Sequence, residues 1–105
     1  MPERVRGGGF KLIQHLVANG CYDYPQKVED AMNEGRFDLE DLEHCIATGK
    51  VVKTNRDKLK ASVGNKVYVI VGRDMRGRRF YAAGKILRSP QQGLIFFFVT
   101  AHPAR

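Results

Sequence analysis

Up to Gly49 the apolar residues of this chain recur at helical spacing, and after Gly49 they gather in short runs rich in Val, Ile, Tyr and Phe. A pattern with the helical period does not settle as a strand, nor the reverse, so this one change of period separates a helical part from a sheet part. In the first part Phe10, Ile13, Leu16 and Val17 form one stripe flanked by Leu12, and Gly20 after Asn19 stops it. Pro25 suits the first turn of a second helix with Val28, Ala31 and Met32 on its inner face and Gly35 as its stop. The third helix has the clearest start. Asp38 is placed to cap it, Asp41 stands at its third position, and Phe37 can staple onto Leu42. Its apolar face is Leu39, Leu42, Cys45 and Ile46, while Glu40, Asp41 and Glu43 favour the helix dipole without any catalytic role.

Beyond Gly49, Lys50–Lys53 reads as a short strand and Thr54–Asn65 as a polar, Lys-rich connection. Lys66–Arg73 and Arg78–Leu87 pair as a hairpin around the turn Asp74-Met75-Arg76-Gly77. A second turn, Ser89-Pro90-Gln91-Gln92-Gly93, leads into Leu94–Ala101, the most apolar run and so the expected centre of the sheet. The expected fold class is α+β: two to three N-terminal helices packed on a three- to four-stranded antiparallel meander. A length of 105 residues suits one domain, with residues 1–9, ending in a Gly triplet, as a flexible lead-in and residues 10–105 as the folded unit.

Charge follows the same division. Met1–Gly49 carries 5 Lys+Arg against 9 Asp+Glu, a balance of −4, whereas Lys50–Arg105 carries 13 against 2, a balance of +11. Asp57 and Asp74 are the two acids of the basic half. Such a half attracts polyanions, nucleic acid above all, or an acidic protein. The N-terminus lacks the pattern of a signal peptide, and no apolar run approaches the ~18 residues of a membrane span. A cytoplasmic protein with no membrane partner and with Cys21 and Cys45 as reduced thiols is therefore expected. Two cysteines without neighbouring ligands make no zinc site, so no metal or other cofactor is expected. No Ser-His-Asp or Cys-His arrangement is legible, and Gly7-Gly8-Gly9 lacks the strand and the Lys-Ser/Thr of a phosphate loop.

Side chains alternate along a strand, which puts Phe80, Ala82 and Ile86 on one face and Arg79, Tyr81, Ala83 and Lys85 on the other. The first set is core. The second offers the parts of RNA cleavage by the 2′-hydroxyl: a base, an acid for the leaving 5′-oxygen, and cations for the phosphoryl oxygens. Arg binds phosphate with two parallel hydrogen bonds, and Tyr or Lys can move a proton. Arg73, Arg76 and Arg78 crowd the hairpin end, and Lys53, Arg56, Lys58 and Lys60 approach from the preceding connection. His102 could add a titrating group near the sheet edge, although a His in a terminal His-Pro segment is more often simply exposed.

This order of elements resembles the RelE-like small toxins, the MqsR type in particular. The resemblance rests on Leu16-Val17-Ala18-Asn19-Gly20, Pro25–Glu34 and Phe37-Asp38-Leu39-Glu40-Asp41-Leu42. The second half is also similar to a large bacterial domain family through Glu40-Asp41-Leu42, Gly49-Lys50-Val51, Gly72-Arg73-Asp74 and Gly77-Arg78. The chain departs from that family at Lys27, where a His followed by Arg residues is usual. The resemblance implies a messenger-RNA-cleaving toxin, acting on free RNA or on the ribosome, with an antitoxin partner. It implies catalytic roles for Tyr81 and Lys53, joined by Lys85 and Arg79 on the Tyr81 face. RNA binding would then fall to Arg73, Arg76, Arg78, Arg56, Lys58 and Lys60. The alternative is a non-catalytic module that holds RNA or an acidic protein on the same basic sheet.

Overall fold

A computed structural model describes residues 9–104; the expected lead-in therefore lies, apart from Gly9, outside the described residues. Three helices, α1 (Phe10–Ala18), α2 (Gln26–Asn33) and α3 (Leu39–Thr48), precede most of a five-stranded sheet. The strands are β1 (Tyr22–Asp23), β2 (Lys50–Arg56), β3 (Lys66–Arg73), β4 (Arg79–Ser89) and β5 (Gly93–Pro103), in the spatial order β1-β5-β4-β3-β2. The fold is α+β. The expected three or four antiparallel strands need correction, because the sheet has five and is mixed: β1 runs parallel to β5, pairing Tyr22 with Phe96 and Asp23 with Phe97. The apolar β5 is not central either. That place belongs to β4, and β2 runs on through Thr54–Arg56, where the polar composition predicts a loop.

Helix α3 shows how sequence fixes local structure. The Asp38 carboxylate accepts the Asp41 N–H at 3.1 Å, and the Asp41 carboxylate accepts the Asp38 N–H at 3.0 Å, a reciprocal capping box. The other Asp41 oxygen accepts the Met75 N–H at 2.8 Å, tying the β3–β4 hairpin to the helix start. Asp38→Ala should lower unfolding free energy by about 1 kcal/mol, read as a shift in urea midpoint without a change of slope.

The helices cover one sheet face. Ile13, Val17, Leu42, Cys45 and Ile46 from α1 and α3 meet Ile70, Phe80, Ala82, Ile86, Phe96 and Phe98 in one core. Each fully buried aliphatic side chain there contributes roughly 1.5–3 kcal/mol. Phe80 meets Phe37 edge-on at 5.1 Å, and Phe98 meets Phe96 and Tyr22 in the same manner. Cys45 lies inside this core, where burial pushes its thiol up to about 12; Cys21 is half-buried, and both are free thiols. At its C-terminal end α3 is joined to β3 by two bonds. Thr48 Oγ1 accepts the Arg73 N–H at 3.0 Å, and His44 Nδ1 stands 2.9 Å from the Arg73 carbonyl oxygen. No helix among the described residues is long and apolar enough to cross a membrane.

Candidate functional site on the open sheet face

Among the described residues none of α1–α3 covers the opposite face of the sheet, although the loop after β2 reaches it where Asp57 pairs with Lys85. Two β-bulges decide what it displays. The β2–β3 register shifts between Val51 and Lys53, leaving Val52 unpaired, so Lys50 and Lys53 face the same way although three positions apart. A second shift, between Ala83 and Gly84, likewise turns both Phe97 and Thr100 to this face. Directly opposed residues share a face, so one row runs Lys50, Val71, Tyr81, His102 across four strands. The next row inward is Lys53, Val69, Ala83, Thr100. On the outer side Arg73 stands opposite Arg79.

Tyr81 and His102 are stacked, with ring centroids 4.8 Å apart and planes inclined at 21°. Beside them Lys50, Arg73 and Arg79 line a shallow cavity of about 320 Å³ floored by Val71 and Gly72. None of these three cations has an acidic partner among the described residues; Arg73 donates instead to the Gly77 carbonyl at 2.8 Å. The arrangement brings together a phenol, an imidazole and two guanidiniums on a solvent-facing surface. Those groups can move protons and stabilise a charged phosphoryl group.

The other expected site residues are dispersed. Lys85 lies four residues along β4 from Tyr81, about 13 Å away by strand rise, and pairs with Asp57 at 3.4 Å. Arg78 is paired with Asp74 at 2.8 Å, and with Arg76 it borders a cavity lined by Asp38, Glu40 and Asp41 on the helical side. Arg56 and Lys60 line a separate basin at the far end of β2, while Lys58 is exposed on the adjoining loop. Lys53 and Arg79 share the Tyr81 face. Lys50 was not singled out by sequence reasoning and His102 only as an edge group, because their approach to Tyr81 depends on strand register and on the Val52 bulge.

The two acids of the basic half are both buried and both organise loops. Asp57, 3% exposed, accepts the N–H groups of Leu59, Ala61 and Ser62 besides the Lys85 ammonium. Asp74, 1% exposed, accepts the N–H groups of Arg76 and Arg78 and the Arg78 Nε–H. Hydrogen bonding from Ser62, with help from Leu59 and Lys85, holds the Asp57 carboxyl below its ordinary value despite burial. At Asp74 burial is the largest influence and pushes upward, but the hydrogen bonds and charge of Arg78 and the Arg76 N–H together outweigh it and lower the value. With both acids folded inward, the surface of the basic half presents cations without carboxylates among the described residues.

Acid stability follows with a definite sign. A folded pKa below the unfolded one gives stability that is complete above the ordinary carboxylate value of 3.8 and is lost as pH falls through the depressed folded value. Melting temperature should thus hold between neutral pH and about pH 5 and drop steeply below about pH 4. Asp57→Asn and Asp74→Asn should each flatten that drop; a wild-type melting temperature constant down to pH 2 would contradict the assignment.

Among the described residues no three His, Cys, Asp or Glu side chains are grouped so as to hold a metal ion. Comparison with known protein families, curated proteins and solved structures finds no match to this chain.

Proposed function

We propose that this protein binds single-stranded RNA on the open face of its sheet and cleaves it through the 2′-hydroxyl, as do the RelE/MqsR-like toxins that its sequence resembles. The observation that carries the reading is the Tyr81–His102 stack beside Lys50, Arg73 and Arg79, on the face that α1–α3 leave uncovered. His102 takes the 2′-hydroxyl proton as O2′ attacks phosphorus, and Tyr81 gives its proton to the departing O5′. Arg79 and Arg73 stabilise the charge that accumulates on the phosphoryl oxygens. Lys50 and Lys53 neutralise flanking phosphates. The products are a 2′,3′-cyclic phosphate and a 5′-hydroxyl. The same reading places the protein in the cytoplasm, restrained by an antitoxin whose acidic surface covers this face.

A second reading, a binding module without catalysis, is favoured by one observation: Lys85 is engaged by Asp57 rather than free beside Tyr81. Incubating the purified protein with single-stranded RNA in excess EDTA separates the two. Shortened chains ending in cyclic phosphate support cleavage. Intact RNA held with a steep salt dependence supports the module.

A further inference from the structure

Two cross-strand pairs place like charges directly opposite each other, and they stand at opposite ends of β3. Arg73 faces Arg79 at the end nearer Tyr81, and Arg56 faces Lys66 at the other. Such pairs are destabilising in a sheet. The second borders a basin of about 620 Å³ lined also by Thr54, Asn55, Lys60, Gly64 and Asn65. Its floor contains Asp57, but that carboxylate is already occupied by three backbone N–H groups and by Lys85. Among the described residues, Arg56, Lys60 and Lys66 therefore have no acidic partner.

The basin is also a place of stored backbone strain. Lys60 (φ 55°) and Asn65 (φ 53°) are the two non-glycine residues with left-handed backbone among the described residues, and both line it. That conformation is unfavourable for lysine, though asparagine tolerates it, and costs of this kind gather at ligand-binding sites. Beside the rim Leu59 is 76% exposed between Lys58 and Lys60, an apolar surface fit to lie against a base.

We infer that this basin is a second phosphate subsite, an anchor that holds the backbone of the same RNA strand whose cleavage is assigned to Tyr81 and His102. The inference rests on the RNA reading above but not on catalysis. Lys66 and Arg73 stand seven positions apart along β3, about 24 Å, and that odd spacing turns them to opposite faces, so one RNA strand engaging both must pass around the β2 edge and span several nucleotides. Lys85 acts here as a positioning residue: by neutralising Asp57 it leaves the positive field of the basin uncancelled. The protein accordingly distinguishes a long single strand from a dinucleotide by affinity.

The test measures binding of fluorescent single-stranded RNA by wild type and by Arg56→Gln/Lys66→Gln, with strands from a dinucleotide upward and at several salt concentrations. The substitutions remove a repulsive pair, so the urea midpoint should not fall. The variant should bind the long strand roughly tenfold more weakly, and its salt slope should shrink by about 0.7 for each phosphate it no longer neutralises. The affinity that wild type gains from dinucleotide to long strand should largely vanish. Wild-type affinity and slope in the variant would overturn the anchor. RNA bound but never cut would overturn the ribonuclease reading and leave this comparison intact as a test. RNA unbound by wild type, with poly-glutamate taken up instead, would overturn both.

Discussion

Tyr81→Phe should lower the rate of RNA cleavage by about 10²–10⁴-fold while leaving RNA affinity and melting temperature unchanged. The phenyl ring keeps its place over His102, where the two rings stand 4.8 Å apart, and loses only the hydroxyl proposed to protonate the leaving oxygen. An effect confined to the chemical step marks a group acting in the transition state rather than in binding. Arg79→Ala should behave differently, because its guanidinium lines the adjoining cavity and, on the proposed reading, meets the phosphate before and during reaction. It should weaken affinity and rate together. A Tyr81→Phe variant as active as wild type would remove Tyr81 as the acid, whatever the arginine variants do.

The largest stability effect is expected at Gly72→Ala. Gly72 is buried on the core face of β3, and an added Cβ there would lie inside contact distance of the Cys45 carbonyl oxygen and 3.0 Å from the Gly49 Cα. Both are backbone atoms, so no side chain can rotate away. Helix α3 cannot readily withdraw, since Thr48 and His44 tie its last turn to Arg73. Forcing them apart would also open the packing that buries Cys45 and Ile46. The cost should be about 3 kcal/mol, the upper end of overpacking, which in a domain of this size lowers melting temperature by on the order of 15 °C. A variant that melts within a few degrees of wild type would mean that α3 and β3 do not approach so closely in solution.

The division at Gly49 made the α+β class legible, because helical spacing on one side and alternation on the other leave little choice. Local chemistry was equally readable where a few adjacent residues decide it: the Asp38/Asp41 box and the Asp74-Met75-Arg76-Gly77 turn. Strand β1 was not legible. Two residues cannot show alternation, and its pairing depends on a distant strand, with the Cys21 carbonyl accepting the Phe96 N–H at 3.0 Å.

The candidate site was legible only along β4. Alternation placed Arg79 and Tyr81 on the face away from Phe80 and Ala82, which are fully buried. The partners across the sheet needed registers that no local pattern encodes. The Val52 bulge brings Lys50 and Lys53 to one face, and the β4–β5 register seats His102 on Tyr81. Lys85 shares the strand face of Tyr81, yet its environment was hidden, because the Lys-rich stretch after β2 reads as a solvated linker. Instead Asp57 gathers that stretch around a buried carboxylate and draws Lys85 into it.

The open face is proposed to direct a 2′-hydroxyl at its neighbouring phosphate. The most direct measurement uses an RNA strand cut at a mapped position and the same strand with one 2′-deoxy nucleotide on the 5′ side of that bond. Cleavage there should cease while binding persists, and cyclic phosphate ends should appear only from the unmodified strand. Unchanged cutting at the 2′-deoxy position would rule out 2′-hydroxyl attack, since the attacking oxygen would then come from elsewhere.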